Sequence, residues 1–105
     1  MVNMRNKGNG DAEGFDDLCE ALLQLKSPDE CRSFLTDLCT PAEIKALSER
    51  WVIARMLDTG DASYRDISAL TGASTTTVGR VARFLEKEPF HGYRLILDRM
   101  KKKRG

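Results

Sequence analysis

The sequence predicts an all-α chain of about six helices, and three observations carry that expectation. Apolar residues recur at helical spacing through most of the 105 residues. Ser27, Thr40, Ser63 and Ser74 each stand where a helix should open. No stretch alternates apolar and polar residues as a half-buried strand would.

Phe15, Leu18, Cys19, Leu22, Leu23 and Leu25 place the first helix near residues 15–26. Ser27-Pro28-Asp29-Glu30 opens the second. Ser27 caps it, Pro28 occupies a first position whose N–H has no helical partner, and Glu30 completes a capping box. Cys31, Phe34, Leu35 and Leu38 share one face and carry this helix to about Leu38. Thr40-Pro41-Ala42-Glu43 repeats the signal. It opens a longer helix through Ile44, Leu47, Trp51, Ile53, Ala54 and Leu57, and Gly60 ends it. Ser63 to Asp66 is a weaker cap before a short helix to about Leu70. Thr71-Gly72-Ala73 breaks the pattern, and Ser74 caps the next helix, to about Lys87. Pro89 and Gly92 interrupt again, and Tyr93 to Lys102 reads as a last helix.

The length suits a single domain, expected over residues 15–105. Met1 to Gly14 is polar and Gly/Asn-rich without an apolar core, so a mobile arm is expected there rather than a secretory signal. No apolar run approaches a membrane span, and a cytoplasmic protein is expected. Cys19, Cys31 and Cys39 match neither a disulfide framework nor a paired zinc-ligand motif, and His91 lies far from them. Reduced, half-buried helix cysteines are expected, with no metal and no cofactor.

Charge is divided along the chain. Residues 11–49 carry ten acidic and three basic side chains, whereas residues 50–105 carry twelve basic and six acidic. A basic rear half suits a polyanionic partner, although Lys101, Lys102, Lys103 and Arg104 also read as a solvated tail. No phosphate-binding glycine loop, Cys–His pairing or other catalytic constellation is present, so no enzymatic activity is expected.

Residues 62–87 have the lengths of a helix-turn-helix: a short helix from Tyr64 to Leu70, a glycine turn, and a helix from Thr75 to Leu85. Gly72 supplies the left-handed conformation that other residues resist. Val78, Val81, Ala82 and Leu85 share one face by their spacing, and Ile67 and Leu70 are expected to pack against them. The opposite face shows Thr76, Gly79, Arg80 and Arg83, with Thr75 and Thr77 at its edges. Short hydroxyl- and methyl-bearing residues in the first turn suit base edges, and Ser74, Thr75, Thr76 and Thr77 are the candidates. Tyr64, Arg65 and Arg83 are candidates for phosphate contacts. The same Ser/Thr run also reads as a plain helix cap on a solvated face.

Leu38-Cys39-Thr40-Pro41-Ala42-Glu43-Ile44-Lys45-Ala46-Leu47 with Arg50, then Gly60, Ser63, Arg65, Leu70-Thr71-Gly72-Ala73 and Thr77-Val78-Gly79-Arg80, resembles the Trp repressor superfamily. The likeness runs without gaps from about Leu38 to Leu85, and in detail is to the smaller Trp-repressor-like group of YerC/YecD type. It implies an intertwined homodimer of six-helix chains whose first, third and last helices share a core. Two reading heads would then sit about 34 Å apart, one DNA turn, on a palindromic operator in double-stranded DNA. The short first helices agree with this, because their apolar faces need another surface.

The resemblance also implies an effector pocket. In the tryptophan repressor two arginines, a threonine, a glycine and a serine frame the ligand. Thr40, Arg50 and Arg80 fall on the threonine and the arginines, but Val81 replaces the glycine and Phe84 the serine. Val81 adds bulk where a flat ring would slide past, and Phe84 removes a hydroxyl partner of the ligand's amino group. Tryptophan is therefore not expected to bind. Phe84, with or without Trp51, either fills the space a corepressor would take or is an ordinary core or interface aromatic. The two arginines would then meet DNA phosphate or an acidic residue. Another small effector remains open.

The expected function is a homodimeric, sequence-specific DNA-binding transcriptional regulator, a repressor by resemblance, working without tryptophan. The competing expectation is a protein-interaction module with a vestigial helix-turn-helix.

Overall fold

A computed structural model describes residues 10–104. These residues form six helices and no strand: α1 (Gly10–Leu22), α2 (Pro28–Leu38), α3 (Pro41–Thr59), α4 (Tyr64–Thr71), α5 (Thr75–Glu86) and α6 (Gly92–Arg104). They fall into two compact units, divided between Cys39 and Thr40.

In the first unit, α1 begins at Gly10, five residues before the expected start at Phe15, and ends at Leu22 rather than Lys26. Asp11 and Glu13 in its first turn complement the positive end of the helix dipole, a local effect that apolar spacing does not register. The expected arm therefore gives up residues 10–14 to the helix, and the rest of it, residues 1–9, lies outside the described residues. Ser27 caps α2 by accepting from the Glu30 N–H at 3.1 Å. The expected box does not close on Ser27, because the Glu30 carboxylate reaches one residue further back and accepts from the Lys26 N–H at 2.9 Å. Neither helix holds a fully buried side chain among the described residues, and Phe15, Leu22, Leu23 and Leu38 are exposed. The three cysteines are free, and Cys19 is exposed rather than half-buried.

In the second unit, α3 opens with a complete capping box. Thr40 accepts from the Glu43 N–H at 3.1 Å, and the Thr40 N–H donates to the Glu43 carboxylate at 2.8 Å. It ends on Gly60 in the left-handed region, with φ 76°. Ile53, Ala54, Ile67, Ala73, Val78 and Val81 form the core, where α3, α4 and α5 meet. At about 25 cal/mol per Å² of apolar surface, each of the larger of these side chains contributes about 1.5–3 kcal/mol. α6 joins this core differently. Trp51 of α3 stacks on Tyr93 at 6.5 Å. Asp58 of α3 accepts from Arg94 at 2.9 Å and pairs with Lys101 at 2.6 Å. His91, with φ 60°, turns the chain into α6.

Candidate nucleic-acid interface

α4 is capped by a reciprocal box, Ser63 accepting from the Asp66 N–H and Asp66 accepting from the Ser63 N–H. The weak sequence signal at Ser63 is thus a full cap. The turn to α5 is tied by more than its glycine. Gly72 adopts φ 82° and ψ −4°, and its N–H donates to the Ser68 carbonyl at 2.9 Å. The Ser68 hydroxyl donates across the turn to the Ala73 carbonyl at 2.5 Å. The Thr71 hydroxyl donates to the Ile67 carbonyl and accepts from the Ala73 N–H. Sequence reasoning missed Ser68 and Thr71, although Ser and Thr beside a turn glycine are the residue types that make such bonds.

α5 presents its predicted apolar stripe inward. Val78, Val81, Ala82 and Leu85 are all buried. Ile67 faces them at 0% exposure, but Leu70 does not pack there: it is 73% exposed. The buried arc of α4 leans toward Ile67, Ser68 and Thr71, and Leu70 lies on the other side of Ile67 by helical rotation. Ala73, beyond the turn, enters the core in its place.

The outward residues are arranged as follows. Tyr64 and Arg65 are exposed at the start of α4, and Ser74, Thr75 and Thr76 at the start of α5, whereas Thr77 and Gly79 are half-buried. Ser74 and Thr77 are occupied by the cap. Ser74 accepts from the Thr77 N–H, and its hydroxyl donates to the Thr77 hydroxyl oxygen, each at 3.1 Å. Thr75 and Thr76 carry no such bond, so their hydroxyls are the ones available to a partner. α3 and α4 each hold a carboxylate in the first turn, but α5 holds none. Its positive dipole end is therefore not offset by a carboxylate, which favours an approaching anion. Arg80 and Arg83 are exposed on the same helix. Arg83 pairs with Glu88 at 3.4 Å.

The residues expected to frame an effector are differently placed. Thr40 is spent on the cap of α3, and Arg50 is half-buried ten residues along the same helix. That rise is about 15 Å, so the two backbone positions lie nearly three helical turns apart. Val81 is 1% exposed and part of the core. Phe84 stacks on Phe90, whereas Trp51 stacks on Tyr93, so the two rings sit in separate pairs. The Arg80 guanidinium lies over the Phe84 ring, not against a carboxylate. Phe84, Phe90, Gly92 and Tyr93 line an apolar recess beside this group.

Among the described residues no helix is long and apolar enough to cross a membrane.

A short capped helix, a left-handed glycine turn and an amphipathic second helix on a six-helix frame define a helical protein of Trp-repressor type. Residues 13–101 match the family model described as Trp repressor protein, and the chain belongs to the Trp repressor family. It is 44% identical over 87 residues to the protein YerC of Bacillus subtilis (strain 168), covering 83% of this chain and 82% of that one. A TrpR-like protein from Eubacterium eligens superposes with a TM-score of 0.78 at 39% identity, over 85% of this chain and 90% of that one. A Staphylococcus aureus protein described as a candidate Trp repressor superposes with a TM-score of 0.77 at 39% identity, over 95% and 96% of the two chains. The all-α, Trp-repressor-like fold expected from the sequence is the observed one.

Proposed function

We propose that this protein is a homodimeric, sequence-specific DNA-binding transcriptional regulator, a repressor, that works without tryptophan. The observation that carries the reading is the outward side of α5. It combines an N-terminus without a carboxylate, free Thr75 and Thr76 hydroxyls, and exposed Arg80 and Arg83. Thr75 and Thr76 meet base edges, while Tyr64, Arg65, Arg80 and Arg83 meet phosphates. Ser74 and Thr77 hold the first turn in shape through the cap, and Gly79 lets the backbone come close to the duplex.

The dimer is supported by apolar surface that one chain leaves open. α3 carries apolar residues all round rather than on one stripe, and Leu47 and Val52 are exposed although Ile53 and Ala54 are fully buried. Apolar residues exposed on other sides of a helix whose core face is already buried call for a second cover. Leu95, Ile96 and Met100 of α6 are exposed too, and a cleft of about 340 Å³ between α3 and α6 has an apolar wall that includes Trp51, Val52 and Met100 and a polar one that includes Arg55, Asp58 and Lys101. A second copy of the chain, in a symmetric pair, would cover these faces and set two heads on a palindromic operator. Tryptophan is disfavoured because Val81 belongs to the core and Phe84 offers no hydroxyl. A cytoplasmic site of action follows from the DNA reading.

Selection of bound duplexes from random DNA tests the proposal. Wild type should enrich a palindromic sequence, Thr76→Ala should relax its preference by about 1–3 kcal/mol, and Arg83→Ala should weaken all sequences alike and flatten the salt slope. Enrichment of nothing by the wild type refutes the reading and favours an interaction module.

A further inference from the structure

The end of α5 carries an aromatic–cationic stack that a bare helix-turn-helix does not require. Phe84 and Phe90 lie 14° from parallel with centroids 6.2 Å apart. One helical turn back, the Arg80 guanidinium carbon sits 4.3 Å from the Phe84 centroid, and that of Arg83 lies 5.1 Å from it. Phe84 is half-buried, while Phe90 is 71% exposed. A ring left mostly in water gains little from burial, so the consequence of Phe90 is the stacking contact it gives Phe84.

Arg80 differs from Arg83 in its partners. Arg83 is paired with Glu88, whereas Arg80 has the ring and no carboxylate among the described residues. A free arginine samples many rotamers, and a phosphate contact must first order it. A ring beneath the guanidinium holds it by its quadrupole. The N–H donors lie in the guanidinium plane and stay available to phosphate oxygens.

We propose that Phe84, backed by Phe90, is a positioning residue for DNA binding, which preorders Arg80 for a phosphate contact. This rests on the DNA-binding reading above.

The test uses the full-length protein and a duplex it enriches from random DNA, with affinity and salt slope measured for each variant. Phe84→Leu should weaken binding about twofold to fivefold, the scale of an exposed cation–π contact, and Phe84→Tyr should restore it. In an Arg80→Ala background, Phe84→Leu should cost clearly less than in wild type, because most of its effect runs through that arginine and only the remainder through Arg83 on the same ring. Arg80→Ala alone should flatten the salt slope, and Phe84→Leu alone should leave that slope unchanged. Equal losses from Phe84→Leu in both backgrounds would mean that the ring acts on packing alone, and would overturn the proposal. So would a Phe84→Leu variant as tight as wild type. If Phe84→Leu does not fold, Phe90→Leu at the exposed ring carries the same cycle. A wild type that binds DNA without Arg80–Phe84 coupling sinks only this inference. A wild type that enriches no duplex sinks the DNA reading first.

Discussion

Gly72 joins the two helices of the proposed reading head with φ 82° and ψ −4°, a conformation that costs an L-residue about 1–2 kcal/mol. A Cβ added there would meet nothing within 4 Å, so no clash adds to that cost. Alanine also narrows the unfolded ensemble, which offsets about 0.4–1 kcal/mol. Gly72→Ala should therefore destabilise by about 1 kcal/mol, or lower Tm by about 4 °C for a chain of this size. Gly60 has φ 76° and equally open surroundings, so Gly60→Ala should cost the same. Gly72→Asn should cost less, because asparagine visits this region more readily. Urea denaturation followed by circular dichroism at one fixed protomer concentration measures all three. If Gly72→Ala is as stable as wild type, the conformational argument is wrong. A loss beyond about 3 kcal/mol would mean that the Ser68 and Thr71 bonds across the turn break with it.

Further outcomes follow from other sites. Hydrogen bonds from Lys101 first, and then Arg94, hold the Asp58 carboxyl below its ordinary value of 3.8. A group depressed in the folded state stabilises above its unfolded pKa, and that stabilisation is lost as pH falls through the folded one. Asp58→Asn should therefore lower stability near neutral pH and flatten the acid limb below about pH 4; an unchanged acid limb in a pH series of denaturation curves would rule this out. Calorimetric titration with L-tryptophan should show no binding, and clear micromolar binding would overturn the reading of Val81 and Phe84. Glu88→Gln should free Arg83 and tighten DNA binding more than Glu86→Gln, which removes a charge without touching that pair. Equal effects of the two changes in a binding titration would assign the gain to net charge alone.

Local chemistry made most of the helical frame legible. Thr40 with Glu43 and Ser63 with Asp66 satisfy their own helix ends, and a cap involves residues three apart, so neighbours in sequence suffice. Gly60 and Gly72 declare their turns because only glycine enters that region freely. The stripe Val78, Val81, Ala82 and Leu85 follows from helical period alone. Where two local solutions were nearly equal, the sequence could not choose. Glu30 could bond Ser27 or Lys26 and took Lys26. Leu70 could face in or out, and the rotation of α4 turned it out.

The sequence by itself thus determined the six helices, the turn and the inward side of the reading helix, because each depends on contacts within one or two turns of chain. The structure decided that the Ser74 cap also takes up the Thr77 hydroxyl, leaving Thr75 and Thr76 free. It alone placed Val81 in the core, paired Trp51 with Tyr93 and Phe84 with Phe90, and laid Arg80 on Phe84. Most of those outcomes depend on how helices or distant turns meet. Trp51 with Tyr93 and Phe84 with Phe90 join residues whose separation carries no helical period, and Arg80 had a choice of neighbours one turn away, so the packed chain had to settle them.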